Sequence, residues 1–393
     1  MKRLIILTVL SISFAISSAA QSGKMGRLSW SISEGTLTIS GKGSMPNYSR
    51  GNSPWAEYGW EDGVINTVVI NKGVTSIGKN AFFDCRSLSS VTISNSVINI
   101  DTHAFGDCTD LGSITIPHSV TNIGERAFAG CTSLALVSLP NRITTIRDNT
   151  FSNCSSLTSI TIPNSVKSIE IWAFKDCGSL ASIAIPNGVK NINFGAFDNC
   201  SSLTDITVER GNENYTSDDG LLYNKDKTKL LICPKGKSGA ITIPNSVISI
   251  EAGAFNWCTG LDSITISNRV TSIETRAFEN CSGLTFIFIP HSVTCIEDYA
   301  FSGCSALTSV SIPSSVASIQ ESAFHYCTAL KNIYSHRASP PQLEDDVFYS
   351  VKTSACTLHV PAGSKRLYKA AHQWKAFKIV ENASIGKPVG EDL

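Results

Sequence analysis

From about residue 64 to residue 350 the apolar positions of this chain recur every 23 residues. Written once, the unit is Leu-x-x-Ile-x-Ile-Pro-x-x-Val-x-x-Ile-x-x-x-Ala-Phe-x-x-Cys-x-x. It is visible in Leu111/Ile114/Ile116, Leu157/Ile160/Ile162 and Leu307/Val310/Ile312. Between each Leu and the Ile-Pro pair, apolar and polar residues alternate around β-branched side chains, which predicts a short strand. Pro117, Pro140, Pro163, Pro186, Pro244, Pro290 and Pro313 end it, because proline has no N–H to give to a ladder. A unit this short cannot bury both its Leu-Ile-Ile side and its Val-Ile-Ala-Phe side alone. Stacking identical units in register buries both. The pattern therefore predicts an α/β-type repeat solenoid over residues 64–350, with one short parallel strand per coil.

One coil departs from the schedule. Ile206 and Ile241 hold the same repeat position but lie 35 residues apart. The surplus, near 209–237, contains DGLLYNKDKTKLLICP, two apolar runs around a Lys-Asp-Lys turn. It reads as a hairpin that replaces one Ala-Phe-x-x-Cys segment and projects from one face, as a tolerated loop or as a partner-contacting element. The ends also leave the repeat. Residues 21–63 read as an N-terminal capping region: a hairpin over 26–43 turning at Glu34-Gly35, then Trp55, Tyr58 and Trp60. Residues 351–393 read as a C-terminal cap and tail. A strand near Leu358–Val360 precedes Ser364 as a helix N-cap, and Leu367, Tyr368, Ala371 and Trp374 share one helical face. Such segments cover the apolar core and strand edges that an open solenoid exposes at its ends.

The string from Leu157 to Cys177, LTSITIPNSVKSIEIWAFKDC, resembles the BspA-like type of leucine-rich repeat found in bacterial secreted and surface proteins. GTLTISGKGSMPNYS and TLHVPAGSKRLYKAAHQWKAF are similar to the segments that close such proteins. The resemblance spans about residues 26–380 and implies a curved leucine-rich-repeat solenoid. Some relatives act as adhesins toward host extracellular proteins such as fibronectin and fibrinogen, or in contacts with other bacteria. The family pattern carries neither a catalytic motif nor a shared binding motif, so only the class of function is implied.

The first residues add a compartment. Lys2 and Arg3 precede an apolar run from Leu4 to Ile16, and Ser18-Ala19-Ala20 offers small residues for cleavage. Residues 1–20 read as a secretory signal peptide, too short for a membrane span. No lipid-accepting cysteine follows it, and no transmembrane segment is expected in the mature chain. The expected location is exported: secreted or cell-surface associated, with periplasmic residence open. Setting aside Lys2 and Arg3 leaves 30 basic residues against 32 acidic ones. This balance argues against nucleic acid or an anionic membrane as the main partner. The pattern carries no signal of oligomeric state.

Ten of the 13 cysteines keep the 23-residue beat: Cys85, Cys108, Cys131, Cys154, Cys177, Cys200, Cys258, Cys281, Cys304 and Cys327. An exported chain can form disulfides. Yet in-register side chains on strands ~4.8 Å apart keep their Cβ atoms beyond the ~3.5–4.5 Å a disulfide prefers. The expectation is a ladder of reduced, inward-facing thiols that packs the core. Cys233, Cys295 and Cys356 lie off the beat and stay open to other fates. No closely spaced ligand pairs suggest zinc, so no cofactor is expected. His103, His118, His291 and His325 have cysteines within reach in a stacked coil. However, His118 and His291 occupy a variable position after Ile-Pro, and the repeat thiols lack access. The chain reads as a non-enzyme. Asn-x-Ser strings at Asn153, Asn199 and Asn280 straddle repeat cysteines and follow from repeat composition.

Binding then falls to the strand face turned away from the core, mostly columns of Ser and Thr that keep a sheet soluble. Phe286 and Phe288 break the rule together and share a face. They suit a protein hot spot or a sugar-stacking platform, unless a loop covers them. Leu136, Ser263 and Thr265 complete the candidate face. Trp172, Trp257, Tyr299 and Tyr326 occupy variable positions on the turn side. The leading expectation is an adhesin-like module for an extracellular or host-surface protein. The alternative is a carbohydrate-binding or envelope-associated structural protein.

Overall fold

The computed structural model describes residues 21–59, 64–193 and 195–385. The expected signal segment 1–20, together with Trp60, lies outside the described residues. Among the described residues no helix is long and apolar enough to cross a membrane.

One coil shows how the pattern folds. Leu157, Ile160, Ile162, Val166, Ile169, Ala173, Phe174 and Cys177 all turn inward and are buried. The Pro163 carbonyl accepts the Val166 N–H at 3.0 Å, and Pro117, Pro186, Pro244, Pro290 and Pro313 close the same turn in their coils. Proline therefore opens the corner as well as ending the strand. The chain returns through two left-handed stations per coil. One holds Arg126, Asn149 and Trp172, and the other holds Asp107, Asn153, Asp176, Asn199 and Asn280, all with φ between 54 and 61°. Asn and Asp tolerate this backbone best, which explains why Asn precedes so many repeat cysteines.

The coils build two parallel ladders, and this corrects the expectation of one strand per coil. In the first, Leu136–Ser138 pairs with Ser113–Thr115, and Ser182–Ile185 pairs with Asp205–Val208. In the second, two-residue strands such as Ser168–Ile169 pair with Thr145–Ile146 and Asn191–Ile192. The α/β description is corrected with it: among the described residues α-helices occur only at Ala56–Gly59 and Lys365–Ala370, outside the coils. The Val-x-x-Ile segment is β-branched and bounded by tight turns, so it extends and pairs instead.

Two further columns run through the core. From Phe82 to Phe197, rings in successive coils stack with centroids 5.1–5.7 Å apart. Trp55 stacks on Phe82 at 5.5 Å. A second run joins Phe255, Phe278, Phe301, Phe324 and Phe348 at 5.0–5.7 Å, and Trp374 meets Phe348 edge-on at 5.2 Å. Beside the rings, the Cys108, Cys131, Cys177, Cys200 and Cys281 thiols donate to the phenylalanine carbonyl of the preceding coil at 3.1 Å. Cys154, Cys304 and Cys327 do so at 3.2 Å. Burial pushes the thiols up, Cys131 and Cys327 to about 12, so they remain protonated donors. Each of these eight cysteines is thus both a packing residue and a coil-to-coil link, and all 13 cysteines are free thiols.

The irregular coil contains the expected hairpin, Leu221–Asn224 turning through Lys225-Asp226-Lys227 into Lys229–Ile232, but the hairpin docks into the solenoid instead of projecting. Tyr215–Asp218, Leu221–Asn224 and Lys229–Ile232 form three antiparallel strands, and the last pairs in parallel with Ser249–Ile250 in the second ladder. The apolar runs draw the segment inward: Leu222 packs into the N-terminal core, while Leu221, Tyr223, Leu230 and Cys233 pack into the C-terminal one. Asn212 anchors its start. Its buried Nδ2 donates to the Pro186 and Val189 carbonyls at 2.9 and 3.1 Å. Its Oδ1 accepts from the Asn214 and Tyr215 N–H groups at 2.8 and 2.9 Å.

At the N-terminal end, Gln21–Met25, Leu28–Ser33 and Thr36–Gly41 run antiparallel, turning at Glu34 and Gly35 (φ 48 and 75°). The C-terminal helix differs from expectation. Lys365–Ala370 follows Ser364, whose hydroxyl makes no capping bond; the Glu381 carboxylate instead accepts the Lys365 N–H at 2.9 Å. Ser364 itself has near-helical φ and ψ, unlike the extended backbone usual at a capping residue, and is buried. Leu367 is exposed while Tyr368 and Trp374 are buried. The single helical face fails because the helix ends at Ala370 and Trp374 sits on a separate 3-10 turn.

Candidate interaction surfaces

Every strand of the first ladder turns alternate residues outward, so the outer face is a set of straight columns. Phe286 lies there 45% exposed, and Phe288 is half-buried beside it on the strand Phe286–Phe288. Phe288 meets the His291 ring edge-on at 6.1 Å, which accounts for its lower exposure. Ser263 stands directly across from Phe286 in the neighbouring strand, and Thr265 is exposed two residues further along. Leu136 is 59% exposed but belongs to the pair of strands Ser113–Thr115 and Leu136–Ser138, on the far side of the irregular coil. The structure brings Phe286, Phe288, Ser263 and Thr265 together and leaves Leu136 apart.

The columns continue past the last repeat. Because Asn332–Ser335, Thr357–Pro361 and Lys378–Asn382 extend the same parallel sheet, Phe288 aligns in turn with Ser311, Tyr334, His359 and Val380. Tyr334 and His359 stack at 4.6 Å with rings 12° from parallel. His359 Nε2 bonds Asn332 Oδ1 at 3.1 Å, and His336 Nε2 bonds the Ser311 hydroxyl at 3.0 Å. Burial lowers the pKa of both His336 and His359, with His291 adding to the effect on His336. They are therefore neutral, flat and partly desolvated near neutrality. Tyr334, His336, His359 and Val380 escaped the sequence reading. Tyr334 stands at the repeat position of Ser311, so its column signals it; His359 and Val380 belong to non-repeat strands and carry no periodic signal.

A second surface lies on the turn side. Trp172 and Tyr299 occupy one left-handed station and Trp257 and Tyr326 the other, with φ of 55–59°. A bulky side chain there costs about 1–2 kcal/mol, which glycine or asparagine would avoid. Lys175 lies over the Trp172 ring at 5.1 Å, and Arg276 over Tyr299 at 5.0 Å. Trp257 and Tyr326 stay half-exposed and wall a trough of about 320 Å³, floored by Asn280, Ser282, Ser302, Gly303, Ser305 and Thr328. Gly303 keeps the floor open: a Cβ there would lie 2.1 Å from Asn280 Oδ1.

Comparison with protein families matches the one described as BspA type leucine rich repeat region, in 6 copies over residues 57–179, 134–238 and 232–355. Comparison with curated proteins finds no significant match. Among solved structures, a leucine-rich repeat protein from Eubacterium ventriosum is similar at 25% identity and TM-score 0.57, over 95% of this chain and 98% of that one. A leucine rich cell surface protein from Faecalibacterium prausnitzii is 28% identical with TM-score 0.57, over 90% of this chain and 98% of that one. The pneumococcal vaccine antigen PcpA shares the fold at 18% identity and TM-score 0.59, over 92% and 98% of the two chains.

Proposed function

The chain belongs to the BspA-type leucine-rich-repeat family, and on that premise we propose that it is an exported, non-enzymatic, adhesin-like protein that binds an extracellular or host-surface protein through its outer sheet face. The observation that carries this reading is the aromatic row at the C-terminal end of that face: Phe286 and Phe288, then Tyr334 and His359, on a sheet otherwise surfaced mostly by Ser and Thr. Rigid rings on a straight sheet offer large contact area with little entropy to lose, which is the chemistry of interface hot spots. The cell-surface relative from Faecalibacterium prausnitzii and the apolar N-terminal segment support placement outside the cytoplasm.

The test is a binding screen of residues 21–393 against extracellular-matrix proteins and glycans together. Phe286→Ala with Tyr334→Ala is expected to weaken protein binding at least about 30-fold, equivalent to a ~2 kcal/mol hot spot. Saturable protein binding that survives the double substitution would refute the assignment of this face. A second reading rests on the Trp257–Tyr326 trough: two exposed rings over a hydroxyl- and amide-lined floor suit a saccharide. Loss of glycan binding on Trp257→Asn, with protein binding intact, would select it.

A further inference from the structure

The ring ladder has a gap, and the gap is a cavity. In a regular coil the phenylalanine N–H donates to the alanine carbonyl of the next coil, as Phe174 does to Ala196 at 2.8 Å and Phe255 to Ala277 at 2.8 Å. In the irregular coil Cys233 makes that bond, to Ala254 at 2.7 Å. Cys233 therefore occupies the phenylalanine station, between Phe197 of the coil before and Phe255 of the coil after. The Cys258 thiol finds the Cys233 carbonyl only at 3.7 Å, where the other repeat thiols reach theirs at 3.1–3.2 Å. A thiol is much smaller than a benzyl group. The space left is a cavity of about 400 Å³, lined by Phe197, Leu203, Leu222 and Cys233, within the ~300–1,000 Å³ of small-molecule sites.

The rim carries charge of both signs. Lys229 and Glu251 neutralise one another at 3.0 Å. Among the described residues, the Lys235 ammonium donates a hydrogen bond to the neutral Asn256 Oδ1 alone. The Asp198 carboxylate also lines the cavity and has no partner among the described residues. Among the described residues neither the Lys235 ammonium nor the Asp198 carboxylate forms an ion pair, and both line an apolar, ring-deficient slot.

We propose that this cavity binds a small aromatic zwitterion of the chemistry of an aromatic amino acid. Its ring takes the missing place in the ladder, its carboxylate meets Lys235 and its ammonium meets Asp198. The site is independent of the outer sheet face and of the protein-binding role assigned to it.

Calorimetric titration of residues 21–393 with L-phenylalanine tests it, with 3-phenylpropionate and phenethylamine as probes that each lack one charge. Saturable binding of L-phenylalanine is expected, with each probe at least about tenfold weaker, the loss of one charge-assisted contact. Lys235→Met and Asp198→Asn should weaken L-phenylalanine similarly. Cys233→Phe should abolish binding and raise the urea midpoint by completing the ladder. Cys233→Leu, which fills the slot with less strain, should abolish binding even where Cys233→Phe folds poorly. No saturable binding by the parent protein, unchanged binding in Cys233→Leu, or equal binding of all three compounds would overturn the proposal. Phe286→Ala should leave this binding intact while impairing the outer face, so the two assignments fail separately.

Discussion

Phe278 is fully buried between two rings, with Phe255 at 5.0 Å and Phe301 at 5.2 Å, the second pair within 2° of parallel. Phe197 is equally a core residue, but among the described residues it stacks on one ring, Phe174 at 5.7 Å, and it also lines the cavity. Truncating a core phenylalanine to alanine costs about 3–5 kcal/mol, the spread depending on the void left behind. A stacked pair contributes about 0.5–1.5 kcal/mol of this. Phe278→Ala loses two pairs and opens a closed void, which places it near the top, about 4–5 kcal/mol. Phe197→Ala loses one pair and enlarges a cavity that already exists, which places it near about 3 kcal/mol. Urea unfolding followed by far-ultraviolet circular dichroism gives both values. Because each coil touches only its neighbours, Phe278→Ala should also split the transition, with the weakened C-terminal block melting first. A Phe197→Ala cost equal to or above that of Phe278→Ala would refute the view that the ladder is interrupted at Cys233.

Thiol chemistry should follow burial: in native protein an aromatic disulfide reagent should modify only Cys295, the one half-exposed cysteine, and all 13 after denaturation. Pairwise oxidation in the denatured count would contradict the free-thiol ladder. Burial first, then Arg50, Arg126 and Lys79, hold His103 down to about 4. Unfolded histidine takes up its proton near ~6.5, so this contribution is complete above that pH and is lost as pH falls toward about 4. His103→Asn, which accepts the φ of 54°, should flatten the fall in urea midpoint across that window. Asn212→Ala takes away the partner of the Val189 carbonyl and of the Asn214 and Tyr215 N–H groups, each worth about 1–3 kcal/mol if left unpaired, while the Pro186 carbonyl keeps the Val189 N–H. A net loss of about 3 kcal/mol is expected from the same unfolding assay. Faster proteolysis between Tyr215 and Cys233 should accompany it.

The sequence by itself determined the coil. Leu157, Ile160, Ile162, Val166, Ile169, Ala173, Phe174 and Cys177 were legible as core because each recurs at a fixed interval, and stacking is the only way so short a unit can bury both its sides. The outward pairing of Phe286 with Ser263 was legible for the same reason: in a strand, parity sets the face. What periodicity does not encode is where a non-repeat segment docks. The alignment of His359 and Val380 behind Phe288 arises because two terminal strands add to the sheet in parallel register. The arrival of Cys233 at a phenylalanine station follows from the three-stranded path between Tyr215 and Ile232. Both depend on contacts between residues with no common spacing, and only the folded chain brings those residues side by side. The repeats therefore specify the scaffold, while the His359 end of the outer row and the cavity at Cys233 lie where tertiary structure joins repeat to non-repeat.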